Sequence, residues 1–132
     1  MSEPTIDLSS LAQPGWVVVP NWLDASSALA LLAFARRASA EGRFKRAAVG
    51  RAGAKALADD VRRDEILWLE SFDGAEVSTL FERLETLKAS LNREFFLGLH
   101  DFEAHLAFYP PGGFYERHRD RFRDDDARTI SA

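Results

Sequence analysis

The sequence predicts an α+β fold. Two stretches, 25–40 and 75–97, repeat apolar residues at helical spacing, while short β-branched and aromatic runs bounded by Gly and Pro lie around them. The 132 residues read as a single domain, 1–132, long enough to bury a core.

Hydrophobic residues make up 46% and charged residues 29%, the balance of a soluble globular chain. A net charge of −4 gives no general attraction to nucleic acid or to an anionic membrane, and neither is expected as a partner. Cysteine is absent, so there is no disulfide framework and nothing argues for export. Met1-Ser2-Glu3-Pro4 lacks the basic and apolar regions of a signal peptide, and no apolar run approaches membrane-spanning length. The expected location is cytoplasmic.

Residues 1–15 form a polar lead-in ending at Pro14-Gly15. Trp16-Val17-Val18-Val19 reads as a short strand closed by Pro20. Asp24 is a good N-cap for a helix over 25–40, with Gly42 just past its end. Ala28, Leu31, Leu32 and Ala35 place one face of that helix on the core. Arg43 to Asp59 is basic, Gly-rich and weakly periodic, which reads as a loop carrying solvated charge rather than a phosphate site. Gly50-Arg51-Ala52-Gly53 has neither the Lys-Ser/Thr tail nor the preceding strand of a phosphate loop.

Val61 to Glu70 reads as a strand with both faces partly covered, and Arg62 and Asp64 as a local ion pair of little energetic weight. Val77, Leu80, Phe81, Leu84, Leu87, Leu91 and Phe95 predict the clearest helix, stopped at Gly98. Leu99 to Phe108 then enters a sheet, where strand parity puts Glu103, His105, Ala107 and Tyr109 on one face. His100 reads as a surface residue or one satisfied by local hydrogen bonds. Pro110 to Gly113 is a turn whose glycines permit positive φ and close backbone approach. The three carboxylates Asp124-Asp125-Asp126 lack the spacing and Gly of a calcium loop and read as solvated.

Beyond the turn lies His118-x-Asp120. On a strand these two side chains point the same way, so one imidazole and one carboxylate can reach a single metal ion. With a second imidazole they make the facial triad of non-haem Fe(II) oxygenases. A bare His-x-Asp is more often just two solvated side chains, and the surrounding residues change that. Tyr109, Gly112, Tyr115, His118 and Asp120 fall in the register Tyr-x-x-Gly-x-x-Tyr-x-x-His-x-Asp, with Phe122 following. The string resembles the 2-oxoglutarate/Fe(II)-dependent dioxygenases, specifically their prolyl 4-hydroxylase-like (HIF prolyl hydroxylase-like) branch. Arg62-x-Asp64-x-Ile66-x-Trp68-Leu69 is a looser second match, in the right order.

The resemblance implies a double-stranded β-helix (jelly-roll, cupin-like) with buttressing N-terminal helices. It implies that His118 and Asp120 are metal ligands for Fe(II), and that Tyr109 binds the co-substrate 2-oxoglutarate through its hydroxyl. Tyr115 would line the substrate entrance and His105 the pocket. The implied reaction hydroxylates a prolyl residue of a protein or peptide with O2, giving succinate and CO2, with ascorbate as an accessory reductant. Arg128 to Ala132 reads as the opening of another core strand. The distal His ligand and the basic residue of the family are expected beyond it, so the C-terminal strands are missing. Strand edges left exposed would allow a homodimer. Two other readings stay open: a non-catalytic dimerisation module, and a metal site built from His105, His118 and Asp120 without 2-oxoglutarate.

Overall fold

A computed structural model describes residues 6–47, 62–118 and 129–132. The chain divides into two compact units, Met1–Ala33 with Ser71–Phe102 and Phe34–Glu70 with Glu103–Ala132.

The first unit is helical. Helix α1, Ala25–Ala40, starts where Asp24 Oδ1 accepts the Ser27 backbone N–H at 2.7 Å. That bond and the Ser27 hydroxyl, helped by the Ser26 hydroxyl and nearby Arg83, outweigh desolvation and hold the Asp24 carboxyl below its ordinary value. Helix α2, Ala75–Phe95, buries Val77 and Leu91 on the stripe that its sequence marks. Arg83 is tied to Trp22, its Nη2 donating to the Trp22 carbonyl at 2.6 Å and its guanidinium 5.2 Å from the ring centroid. Helix α2 stops earlier than Gly98, because Phe96 itself takes the left-handed conformation (φ 54°). Asn92 then clasps Leu99, donating to its carbonyl at 2.9 Å and accepting its N–H at 2.7 Å.

Trp16 to Val19 corrects the expected strand. It has no ladder partner among the described residues, and Trp16 and Val18 are 65% and 73% exposed. β-Branched residues favour a pleated, half-buried surface, and without a partner strand that preference forms nothing.

The second unit holds an open antiparallel sheet in the order β1-β2-β3, formed by Lys45–Arg46, Glu65–Trp68 and His105–Phe108. Lys45 and Arg46 thus belong to a short strand, not to the expected loop; residues 48–61 lie outside the described residues. At the end of α1, Gly42 (φ 72°) lets its own N–H reach the Ser39 carbonyl and that of Arg43 the Ala38 carbonyl. The buried residues of α1 are Phe34 and Ala38. Ala28 and Leu32 are exposed, so the covered stripe is rotated from the expected one. Among the described residues no helix is long and apolar enough to cross a membrane.

Candidate active site

The β2–β3 ladder determines which side chains share a face. Ile66 lies opposite Ala107 and Trp68 opposite His105, while farther along Arg62 bridges to Tyr115. Residues directly opposite one another share a face, and alternate residues of one strand do too. Arg62, Asp64, Ile66 and Trp68 therefore stand on the same side as His105, Ala107 and Tyr115, and parity adds Tyr109.

Seven positions separate Phe108 from Tyr115, whereas only three separate their partners Glu65 and Arg62. Four residues are looped out of the ladder, and they are Pro110-Pro111-Gly112-Gly113. The Gly113 N–H closes the turn on the Pro110 carbonyl at 2.6 Å. Pro111 supplies the fixed φ of the first corner and Gly112 the positive one (φ 81°), the type II pattern. The chain then rejoins the sheet through Arg63 N–H to the Phe114 carbonyl at 2.6 Å. The turn is thus what aims Tyr115 and His118 after Tyr109.

Under this detour lies a buried ion pair. Arg62 Nε and Nη2 donate to Asp64 Oδ1 and Oδ2, each at 2.6 Å, with the two side chains 10% and 0% exposed. The expected local pair is therefore formed, and it lies out of water in a fork-to-fork geometry, which is exacting. Burial pushes the Asp64 carboxyl up, but the hydrogen bonds and charge of Arg62, helped by Tyr109, outweigh it and hold the carboxyl below its ordinary value. The same partner raises the Arg62 guanidinium. Partial burial, the Asp64 charge and the hydrogen bond to Asp64 raise the Tyr109 phenol, against the opposing charge of Arg62. Tyr109 follows Phe108, the ladder partner of Glu65, and so stands opposite Asp64, with that carboxylate as its neighbour.

Arg62 also touches Tyr115, its guanidinium carbon 3.9 Å from the ring centroid. The His118 imidazole stacks on Tyr115 with centroids 3.6 Å apart and planes 12° apart. His118 Nδ1 is 2.7 Å from the Glu116 carbonyl, which can only accept, so Nδ1 carries the proton. In the neutral ring the lone pair then sits on Nε2. A ligating histidine is commonly held this way, by a carbonyl on its other nitrogen. His118 therefore fits a metal ion; Asp120 lies outside the described residues, as do Phe122 and Asp124 to Asp126. Among the described residues no three His, Cys, Asp or Glu side chains gather into a metal cluster.

His105 packs edge-on against Trp68, ring centroids 4.8 Å apart. Its ladder position is six β2 residues from that of Tyr115, about 20 Å along an extended strand. It shares the site's face but stands at the far end from the Tyr115–His118 stack. The sequence anticipated the Arg62–Asp64 pair as a local ion pair but not its burial beneath Tyr115. The available signal was two opposite charges two apart on a strand.

No family model matches the chain, and no curated protein matches it significantly. Among solved structures, the crystal structure of a Pseudomonas putida prolyl-4-hydroxylase is similar, with 38% sequence identity and a TM-score of 0.78. The match covers 89% of this chain and 59% of that one. The chain belongs to the prolyl 4-hydroxylase-like branch of the 2-oxoglutarate/Fe(II)-dependent dioxygenases. Its helices and open antiparallel sheet are of the double-stranded β-helix, or jelly-roll, class.

Proposed function

We propose that this chain carries part of the active site of a 2-oxoglutarate- and Fe(II)-dependent dioxygenase that hydroxylates a prolyl residue in a protein or peptide. The observation that carries this reading is the 38% identity, over 89% of the chain, to a prolyl-4-hydroxylase. His118, with its protonated Nδ1 on the Glu116 carbonyl, would present Nε2 to the metal, and Asp120 would supply the carboxylate. When bound, Fe(II) would activate O2, and 2-oxoglutarate, oxidised to succinate and CO2, would supply the two electrons that turn O2 into an oxidant able to attack an unactivated C–H bond.

Tyr109 would bind the co-substrate. Its phenol keeps its proton beside the Asp64 carboxylate, so donation to a 2-oxoglutarate carboxylate would exchange one carboxylate neighbour for another. Tyr115, held between Arg62 and His118 contacts, would border the substrate beside the metal. A cytoplasmic setting, reducing enough to keep iron ferrous, suits such chemistry.

The test is an anaerobic titration of the 132-residue chain with Fe(II) and 2-oxoglutarate, following the visible charge-transfer band of the chelated co-substrate. The band should appear, and His118→Ala should abolish it. An unchanged spectrum with both present would remove the oxygenase reading from this chain.

A further inference from the structure

We propose that Arg62 and Asp64 are positioning residues for the site, the pair fixing the Tyr109 hydroxyl through Asp64 and the Tyr115–His118 stack through Arg62. The proposal deepens the reading above, on which it rests for what the positioned residues do.

Backbone bonds hold residues 62–64 from both flanks, the Ala47 N–H donating to the Asp64 carbonyl at 3.0 Å and the Arg63 N–H to the Phe114 carbonyl at 2.6 Å. Arg62 and Asp64 point to one face and bind each other through two parallel bonds, which fixes the guanidinium plane. That plane meets the Tyr115 ring at 3.9 Å, and the ring carries His118 at 3.6 Å. The Asp64 side chain, 0% exposed, also faces Tyr109, which the ladder register sets opposite it. One buried pair therefore borders both tyrosines, which lie on opposite sides of the looped-out turn.

Stability is a poor reason for such a pair. Taking two charges out of water is costly, and apolar replacements of similar volume often do as well or better. What an apolar pair cannot do is accept a tyrosine proton or present a flat cation to a ring. The arrangement is explained by orientation.

The chain contains two tyrosines, Tyr109 and Tyr115, so labelling with 3-fluorotyrosine gives two 19F resonances, both inside the cluster. Single Tyr→Phe variants assign them. In the metal-free protein Asp64→Asn should move the Tyr109 resonance toward that of free fluorotyrosine, and Arg62→Lys, which keeps the charge but loses the fork, should move that of Tyr115. If Asp64→Asn does not fold, the double variant Arg62→Met with Asp64→Leu replaces it, judged by a cooperative melt. In that variant both resonances should collapse toward the free position while the fold persists. A folded variant, single or double, whose two resonances stay at their wild-type positions overturns the proposal. Because neither iron nor 2-oxoglutarate is present, this readout is independent of the charge-transfer band. A missing band with moved resonances refutes the function alone, and unmoved resonances with a band refute the positioning alone.

Discussion

Gly113 runs so close to the backbone of Arg63 that a Cβ on it would lie 2.7 Å from the Arg63 carbonyl oxygen. The Pro110 carbonyl and ring Cδ would be at 2.8 and 2.9 Å. None of these atoms belongs to a side chain that can swing away. Gly112 is the opposite case, with nothing within 4 Å but a φ of +81°. Gly112→Ala should therefore cost only the left-handed strain, about 1–2 kcal/mol. Gly113→Ala should cost about 1–3 kcal/mol or more by overpacking, and it should also displace the strand carrying Tyr115. Urea unfolding measures the cost, and the Tyr115 19F resonance measures the displacement. Equal shifts of that resonance in the two variants would mean that the close approach to Arg63 does not aim the site.

The Arg62–Asp64 pair predicts an asymmetry in stability. Asp64→Asn leaves a buried guanidinium with a neutral partner and should lose about 3–5 kcal/mol at neutral pH. The apolar double variant should lose markedly less. The pH dependence has a defined sign. The folded Asp64 carboxyl lies below its ordinary value, so its stabilisation is complete above about pH 4 and is lost as pH falls through the lowered folded value. The gap between wild type and Asp64→Asn should stay constant from neutral pH to about pH 4 and close only below it. Denaturant midpoints measured across that range decide; a gap that closed near pH 6 would point to another group.

Tyr115 touches its neighbours through its ring, so the ring and the hydroxyl can be separated. Tyr115→Phe should keep the stack on His118 and bind metal much as the wild type does. Tyr115→Leu removes the flat surface and should weaken Fe(II) or Co(II) binding about tenfold, the lower end of what losing a ligand's support costs. Anaerobic metal titration distinguishes the two; equal affinities would mean that the stack does not orient His118.

How far the sequence reached depended on how local the determining physics was. The α2 stripe from Val77 to Phe95 and the Pro-Pro-Gly-Gly turn were legible, since each is set by spacing or by backbone chemistry within a few residues. That Tyr115 and His118 stand together past the turn was legible because turn and motif lie in one stretch. The strand expected at Trp16 to Val19 failed because a strand needs a partner, which no local preference supplies. Leu32 was placed on the wrong face of α1 because Ala-rich helices leave the apolar stripe poorly defined. The weight of Arg62 and Asp64 was hidden for a related reason. Charge and spacing show that they can pair, but the ring that covers Arg62 is that of Tyr115, some fifty residues away. His118 is placed and its protonated nitrogen determined, while its intended co-ligand Asp120 lies outside the described residues.

Asn92 offers a test in the helical unit, where sequence reading expected only a glycine stop. Its amide makes two bonds to one residue, donating to the Leu99 carbonyl and accepting the Leu99 N–H, and both are partly buried. The clasp holds the chain as it leaves α2, after Phe96 has taken the left-handed cap. Asn92→Ala deletes both bonds at once and leaves a backbone donor and acceptor short of partners, which should cost about 1–3 kcal/mol. Asn92→Asp keeps the acceptor for the Leu99 N–H but sets a carboxylate against the Leu99 carbonyl, so it should not rescue the loss. Hydrogen exchange at Leu99 separates these effects. The amide should exchange faster in Asn92→Ala and remain protected in Asn92→Asp, even though both variants unfold at lower urea than the wild type. Protection that survived in Asn92→Ala would show that the backbone around Leu99 is held by something other than this side chain.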